Sequence, residues 1–200
     1  MLNREAIIGM LIGFSGACNS GKTTLANALA EELRRRGYKV ELVGEVVRDV
    51  FKEFQSKYGF KDLRELRESR YHFQFQFEVL KTQIERENSA LIRAEIVLSD
   101  RTVYDNLFYT IFWNSMDWRT LREYVSLFKS LGNRRYDIIF FCKPLRNNSK
   151  DGFRDYDLNY VEIQDLVIRL FIERENVIDV PEADLNERLK FCLRNLEQII

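Results

Sequence analysis

Residues 16 to 24 constrain the fold of this chain more than any other stretch, because they combine glycines, a lysine and a threonine in the pattern G-x-x-x-x-G-K-T. Glycines at the first and sixth positions allow positive φ angles, so that successive N–H groups can surround one anion. A helix that begins near Gly21 adds the positive end of its dipole. The pattern therefore predicts a phosphate-binding loop made of Gly16, Ala17, Cys18, Asn19, Ser20, Gly21, Lys22, Thr23 and Thr24.

The sequence on either side of this loop supports the prediction. Residues 6–15 are apolar at mostly consecutive positions, as in a strand buried on both faces of a parallel sheet. Residues 21–36 carry apolar side chains at helical spacing and are followed by Gly37. At the junction, Lys22 is placed to neutralise the β- and γ-phosphates of a nucleotide, and Thr23 is placed to bind Mg²⁺.

The composition limits what else the chain can be. Two hundred residues with 46% hydrophobic content suffice for one domain with a full core, so we expect residues 1–200 to form a single domain. Basic and acidic residues both number 31, and this neutral balance counts against a nucleic-acid partner. Three widely spaced cysteines fit neither a disulfide framework nor a zinc site, which favours a cytoplasmic protein. No apolar run is long enough to span a membrane.

Four further apolar runs predict strands at 39–43, 95–99, 137–142 and 176–180, with helical patterns between them. Strands that alternate with helices form parallel sheets with right-handed connections. The predicted fold class is therefore α/β, with a five-stranded parallel sheet. We expect one long helix over 62–94, which contains neither glycine nor proline, and a last helix that Pro181 opens.

Two acidic residues follow predicted strands at the sheet edge where α/β folds bind their ligands. Glu45 follows the second strand and Arg48 lies about one helical turn further on, so the two form either a helix-surface ion pair or part of a substrate site. Asp100 ends the third strand, where a carboxylate can hold Mg²⁺ opposite Thr23, and Arg101 follows it directly.

Other polar residues have both a structural and a functional interpretation. Asp105 lies at the start of a helix and is placed to cap it. Gln74 and Gln76 can read the edge of a base, although glutamines on the polar face of a helix are more common. We keep Gln74 as a substrate-binding candidate and expect His72, the one histidine, to be a packing residue.

The most polar stretch of the chain follows the fourth strand, at about 145–157. It contains three cations, Arg146, Lys150 and Arg154. A loop of this length in a compact domain usually has a function, and we expect a mobile lid.

Four features, taken in order, resemble the P-loop kinase superfamily of nucleoside and nucleotide kinases, and most of all the kinase-type AAA domain of nicotinamide riboside kinase-like proteins. They are the loop at 16–24, Glu45 with Arg48, Asp100-Arg101-Thr102, and Asp151-Gly152-Phe153-Arg154. The resemblance spans nearly the whole chain, and the first motif is the most specific.

The resemblance implies a three-layer P-loop NTPase fold with strand order 2-3-1-4-5 and a lid. It implies ATP and Mg²⁺ as cofactors, with Arg146 and Lys150 on the nucleotide and Arg154 acting in catalysis. It also implies that Glu45 is the base for an acceptor hydroxyl and that Arg101 holds the acceptor.

The sequence thus predicts an ATP-dependent phosphotransferase that moves the γ-phosphate to a nucleoside-like or nucleotide acceptor. Lys22, Mg²⁺, Arg101 and the lid would provide most of the rate through positioning and charge neutralisation. Two alternatives stay open: a regulatory module that binds and slowly hydrolyses NTP, and a kinase acting on polynucleotide hydroxyls. The sequence contains no N-K-x-D motif, which favours ATP over GTP, and it leaves a homodimer open.

Overall fold

Five strands lie in one parallel sheet in the computed structural model, which describes residues 9–112, 118–130, 135–145 and 158–200. They are β1 (Met10–Ser15), β2 (Val40–Val43), β3 (Ile96–Asp100), β4 (Ile138–Cys142) and β5 (Val177–Val180). Their order in the sheet is β2-β3-β1-β4-β5, which confirms the predicted order and the α/β class. Because β3 lies between β2 and β1, the residues that follow these three strands meet at one edge of the sheet.

Helices cover both faces of the sheet. In the described part of the chain they are α1 (Lys22–Arg35), α2 (Val46–Tyr58), α3 (Leu63–Arg67), α4 (His72–Arg93), α5 (Val103–Phe112), α6 (Trp118–Ser130), α7 (Leu158–Phe171) and α8 (Leu185–Leu196). One apolar core lies between the sheet and α1 with α8, and the other lies between the sheet and α4, α5 and α7. The predicted three layers are therefore present.

Side chains of β1 enter the two cores alternately. Leu11 belongs to the core that contains α4 and α5, whereas Ile12 and Phe14 belong to the core that contains α1 and α8. Each of the three is at most 2% exposed. A strand that is buried on both faces has no polar side, which explains the unbroken apolar sequence of β1.

Residues 62–94 do not form one helix, so that prediction is wrong; α3 and α4 replace it. Between these helices, the hydroxyl of Ser69 donates to Leu66 O (2.7 Å) and accepts from Tyr71 N (3.1 Å). Such local bonds compete with helical hydrogen bonds of the backbone, and they interrupt a helix without glycine or proline. The ring of Tyr71 then packs on Tyr58 of α2, with ring centroids 4.3 Å apart.

The last helix also begins later than predicted, because Pro181 does not open it. The N-cap of α8 is Asp184, whose carboxylate accepts from Glu187 N at 3.0 Å. An aspartate at this position satisfies a free N–H group of the first turn. Among the described helices, none combines the length and the apolar character needed to cross a membrane.

Candidate active site

The loop between β1 and α1 has a backbone geometry that requires glycine at two positions. Gly16 has φ = 129°, and a Cβ atom there would lie 2.2 Å from the carbonyl oxygen of Cys142 on β4. Gly21 has φ = 71° immediately before α1. Residues with a Cβ atom rarely adopt these angles. A loop of this shape at a helix N-terminus is an anion-binding site.

Lys22 is buried and lies folded against this loop. Its Nζ atom donates to Gly16 O (2.8 Å), Ala17 O (2.6 Å) and Ser20 Oγ (2.9 Å). Burial, and then the positive charge of Arg101, lower the pKa of Lys22 from 10.5 to about 8. An anion bound in the loop would raise this pKa again, because it favours the charged ammonium group.

Two residues without any sequence signal support the loop from the helices around it. Gln164 of α7 is fully buried and accepts from Cys18 N at 3.0 Å. Arg188 of α8 is 4% exposed and donates from Nη2 to Ser20 O at 2.9 Å. The main chain of the loop is therefore held at two points in addition to the bonds that Lys22 makes.

The predicted magnesium ligands are Thr23 and Asp100. Thr23 is exposed in the first turn of α1, and Asp100 ends β3 with 3% exposure. In the sheet Asp100 pairs with Phe14, two residues before Gly16. Magnesium at nucleotide sites takes one or two carboxylates and completes its shell with phosphates and water, so this pair of oxygen ligands fits it. The described residues contain no cluster of three or more His, Cys, Asp or Glu that could hold a metal ion on its own.

A cavity of about 460 Å³ adjoins the loop. Its lining includes Cys18 of the loop, the rings of Phe51, Phe75 and Tyr109, and the polar groups of Glu45, Arg48, Gln76 and Arg101. A wall that combines apolar and aromatic surface with converging polar and charged groups is suited to a small molecule.

Glu45 is the N-cap of α2 and lies in this cavity between two arginines. Its Oε2 atom accepts from Arg48 Nε (2.9 Å), and its Oε1 atom accepts from Arg101 Nε (3.3 Å). Glu45 and Arg48 therefore form the predicted ion pair, and the pair also lines the cavity, while its role in substrate binding stays a prediction. The structure thus brings Glu45, Arg48 and Arg101 to one place beside Cys18.

Arg101 combines an unusual backbone with a buried charge. Its φ of 120° costs a residue with a Cβ atom about 1–3 kcal/mol. The side chain is 13% exposed, and Nη1 lies 3.8 Å from Asp105 Oδ1. Burial works against the charge, but Tyr109, Glu45 and Asp105 raise the pKa of Arg101 well above its usual value. A strained residue with a permanent charge at a cavity is a candidate functional group.

Comparison with known proteins bears on the family of this chain. The AAA domain family matches residues 11–188, which is most of the sequence. The chain belongs to the AAA domain family. A deoxyadenosine kinase of Dictyostelium discoideum is 25% identical to this AAA domain over 174 residues, which are 80% of this chain and 66% of that protein. The AAA domain thus spans just under two thirds of the length of that relative.

Solved structures share the fold. A NadR protein in complex with NR has a TM-score of 0.69 at 17% identity, over 98% of this chain and 52% of that chain. A NadR protein in complex with NAD and AMP-PNP has a TM-score of 0.65 at 16% identity, over 98% and 50%. The thymidylate kinase from Ehrlichia chaffeensis has a TM-score of 0.60 at 19% identity, over 94% and 98%. With the sequence relative, they confirm the resemblance to P-loop nucleoside and nucleotide kinases, and this chain has the fold of those kinases.

Asp105 of the AAA domain caps α5 as predicted, and it also ties this helix to β1. Its Oδ2 atom accepts from Thr102 N (2.9 Å) and Thr102 Oγ1 (2.7 Å). The same oxygen accepts from Ser15 Oγ at 2.8 Å. Asp105 is 1% exposed, so the cap is a buried link between the end of β1 and the segment that carries Arg101.

The cavity contains Gln76 rather than Gln74. Gln74 is exposed on α4 and does not line the cavity, whereas Gln76 is 3% exposed and does. Residues two apart on a helix point in nearly opposite directions, which the alternating sequence around them does not reveal. His72 is a packing residue, as expected: it is 2% exposed, and burial lowers its pKa to about 4.

Nearly all of the predicted lid at 145–157 lies outside the described residues, including Arg146, Lys150 and Arg154. The roles of these three cations stay predictions. Leu145 is described, and its N–H group donates to Asn19 O of the phosphate loop at 3.1 Å. The segment with the three cations therefore begins in contact with the loop.

Proposed function

We propose that this AAA domain is an ATP-dependent phosphotransferase that moves the γ-phosphate to a hydroxyl of a nucleoside-like or nucleotide acceptor. One observation carries the proposal: Glu45 and Arg101 line a cavity that also reaches Cys18 of the phosphate loop. An acceptor in this cavity would have a carboxylate beside it and the nucleotide phosphates at the end of the cavity nearest the loop. Direct transfer requires this proximity of acceptor, base and phosphate.

Each residue of the site has a role in this reaction. ATP would supply the transferable phosphate, and Thr23 and Asp100 would hold Mg²⁺, which would neutralise the charge of that phosphate. Lys22 provides a mobile positive charge at the loop. Glu45 takes the proton of the acceptor hydroxyl, and Arg101 keeps Glu45 in place and adds positive charge beside the acceptor.

The relatives support this donor and this class of acceptor. One is named a deoxyadenosine kinase and another a thymidylate kinase, so a nucleoside and a nucleotide are both represented. A structure with the same fold, the NadR protein with NAD, also holds AMP-PNP, which supports ATP as the donor.

Hydrogen bonds within the protein determine which end of the Gln76 side-chain amide is available to the molecule that receives the phosphate. Asn106 Nδ2 lies 3.3 Å from the main-chain oxygen of Gln76, and a carbonyl oxygen can only accept, so this atom of Asn106 is the donor. The same nitrogen donates to Gln76 Oε1 at 2.7 Å, and the Tyr124 hydroxyl donates to Asn106 Oδ1. Gln76 is therefore left with its amide nitrogen, a donor suited to a ring nitrogen or carbonyl oxygen of a nucleobase.

A phosphate-bearing acceptor is the second candidate, because basic side chains outnumber acidic ones in the cavity wall. The basic residues are Arg48, Lys52, Lys61, Arg67 and Arg101, and the acidic residues are Glu45 and Asp62. A nucleoside monophosphate would place its phosphate among these cations. Its oxygen is already ionised and would need no base.

The three cysteines of the chain are free and buried. We therefore propose a reducing, cytoplasmic location for the protein. A homodimer stays open as a further proposal.

A transfer screen tests the proposed function. The protein is incubated with Mg²⁺, γ-labelled ATP and, in separate reactions, nucleosides, nucleoside monophosphates, nicotinamide riboside and oligonucleotides. We expect label to appear on a nucleoside or a nucleoside monophosphate. ATP hydrolysis at a rate that no acceptor changes would overturn the proposal in favour of a regulatory module, and label on oligonucleotides alone would favour a polynucleotide kinase.

Gln76→Leu is expected to raise KM for the acceptor about tenfold, because one lost hydrogen bond costs about 1–2 kcal/mol. KM for ATP should not change, since Gln76 lies in the acceptor cavity. Initial rates over a range of both substrates measure the two constants. Gln74→Leu is the matched control, with the same change on the exposed side of the same helix. Equal effects of the two changes would contradict the assignment of Gln76.

The affinity for ATP is expected to fall as the pH rises above about 8, where free Lys22 loses its proton. Bound phosphate raises this pKa, so binding at pH 8 should take up about half a proton. Calorimetric titrations in two buffers of different ionisation enthalpy measure this uptake. Lys22→Arg stays charged at these pH values and should take up no proton, and equal uptake by both proteins would contradict the assignment to Lys22.

Asp100→Asn is expected to weaken Mg²⁺-dependent activity about 10- to 100-fold, because a neutral amide is a poorer partner for the ion. ATP binding without Mg²⁺ should change little. Titrations with and without Mg²⁺, together with rates over a range of Mg²⁺ concentrations, separate these effects. Asp137→Asn, at the opposite edge of the sheet, is the control. Equal losses of affinity with and without Mg²⁺ would remove Asp100 from the metal site.

A further inference from the structure

Four polar side chains form a hydrogen-bonded group between α4 and the sheet: Gln83, Glu87, Arg135 and Tyr136. Glu87 is at its centre and is fully buried. Its Oε2 atom pairs with Arg135 Nη2 (2.7 Å), and its Oε1 atom accepts from Gln83 Nε2 (2.8 Å) and from the Tyr136 hydroxyl (2.9 Å). We call these four residues the buried cluster. Both carboxylate oxygens of Glu87 have partners, as a buried charge requires.

The buried cluster contacts every second residue of the segment 99–103. The contacts are Ser99 Oγ to Glu87 Oε1 (2.8 Å), Gln83 Nε2 to Arg101 O (3.2 Å) and Val103 N to the Tyr136 hydroxyl (3.0 Å). This segment carries Asp100 and Arg101, the two residues that β3 brings to the active-site edge. The segment is therefore tied to α4 through Ser99 and Arg101, and to Tyr136, just before β4, through Val103.

Arg101 depends on such support because its φ of 120° is unfavourable for a residue with a Cβ atom. A residue persists in this conformation when its surroundings over-determine it. Glu45 and Asp105 hold the guanidinium group of Arg101. Gln83 holds its main-chain oxygen, so the two ends of the residue have separate anchors.

We propose that the buried cluster is a positioning device for phosphoryl transfer. Gln83 holds the main-chain oxygen of Arg101 and Glu87 holds the hydroxyl of Ser99, so that Arg101 stays beside Glu45. Neither Gln83 nor Glu87 lines the cavity, so the two residues act through Arg101. The kinetic consequence of this inference rests on the proposed function, whereas its structural consequence rests on the hydrogen bonds alone.

Gln83→Met tests the inference with little disturbance. Methionine has a similar length but no donor, so the bonds of Gln83 Nε2 to Arg101 O, Ser99 Oγ and Glu87 Oε1 are lost. Glu87 keeps Ser99, Tyr136 and Arg135 as partners. Asn88→Ala is the matched control on the same helix. Asn88 Oδ1 accepts from Arg135 Nη2 at 3.2 Å, and among the described residues Asn88 makes no hydrogen bond with 99–103.

We expect Gln83→Met to lower kcat about 10- to 100-fold with KM for ATP unchanged, since a small misplacement of a positioned group costs this much. Asn88→Ala should keep the parental kcat. In an Arg101→Ala background, Gln83→Met should have little further effect, because the two changes act on one group. Equal losses in Gln83→Met and Asn88→Ala, or additive losses in the double variant, would overturn the inference.

Amide hydrogen exchange gives a second readout that needs no acceptor. Gln83→Met should speed exchange at residues 102 and 103 about tenfold or more and leave β4 at the parental rate. If Gln83→Met does not fold, Ser99→Ala removes another bond between the cluster and the segment and should show the same pattern. If the parent protein transfers phosphate to no acceptor, the proposed function fails. The amide exchange rates then test the positioning role of the cluster without the kinetic data. Parental exchange at 102 and 103 would overturn the inference.

Discussion

Lys22→Ala is expected to lower the rate of phosphoryl transfer about 10³-fold or more while the protein stays folded. Lys22 is the buried cation of the phosphate loop, and its ammonium group lies within 2.9 Å of three loop oxygens. Alanine removes this charge from the place where the transferred phosphate gathers negative charge. Single-turnover transfer from labelled ATP measures the rate, and a thermal unfolding curve checks the fold.

The hydrogen bonds of Lys22 also hold the loop, so loss of charge must be separated from loss of loop structure. Ser20→Ala is the control, because it removes one acceptor of the ammonium group and leaves the charge in place. Its rate should be close to that of the parent. Near-parental turnover in Lys22→Ala would refute the kinase proposal, and an equally large loss in Ser20→Ala would assign the effect to loop structure.

Glu45→Gln is expected to lower kcat about 10²- to 10⁴-fold with ATP affinity nearly unchanged. Glutamine keeps the shape of the side chain but cannot take the proton of an acceptor hydroxyl. Glu45 is suited to this role because Arg48 and Arg101 fix one carboxylate oxygen each within the cavity. Steady-state rates with saturating ATP, together with a direct measurement of ATP binding, test both parts of the prediction.

Glu41→Gln is the matched control, because Glu41 is also an acid of the β2 region paired with an arginine. Its Oε2 atom lies 2.7 Å from Arg93 Nη2, away from the cavity. The control should turn over at the parental rate. If Glu45→Gln stays within about threefold of the parent, far below a general-base effect, Glu45 is structural and a nucleoside monophosphate becomes the better acceptor.

The strands and most helices could be predicted because burial leaves a recognisable pattern of apolar residues in the sequence. β1 and β4 are buried on both faces and read as unbroken apolar runs. The order of the strands leaves no such local trace, and it followed from the order of the motifs in the resemblance. The break between α3 and α4 was missed because Ser69 causes it with two side-chain hydrogen bonds and no glycine or proline marks it.

The candidate site was predictable where main-chain geometry dictates the residue type. It was much less predictable where tertiary contacts determine which side chains reach the site. Gly16 and Gly21 belong to a recognisable pattern because their φ angles exclude other residues. Gln164 contacts Cys18 and Arg188 contacts Ser20, across sequence separations of 146 and 168 residues. No local pattern marks such distant partners. Gln76 was passed over for Gln74 because the rotation of α4 against the cavity is set by packing.

The two halves of the site, the phosphate loop and the acceptor wall, differ in how freely their sequences can change. The phosphate loop is fixed by main-chain angles and by the absence of space for a Cβ atom at Gly16, so few sequences can build it. The acceptor wall from α2 to α4 is built of side chains, and it lies in one continuous stretch between β2 and β3. That stretch can change without a change in the sheet or the loop. We therefore expect that exchanging residues 45–76 between two proteins of this family would change the acceptor preference of the recipient, although its Arg101 and Tyr109 stay, and would leave its use of ATP as it was.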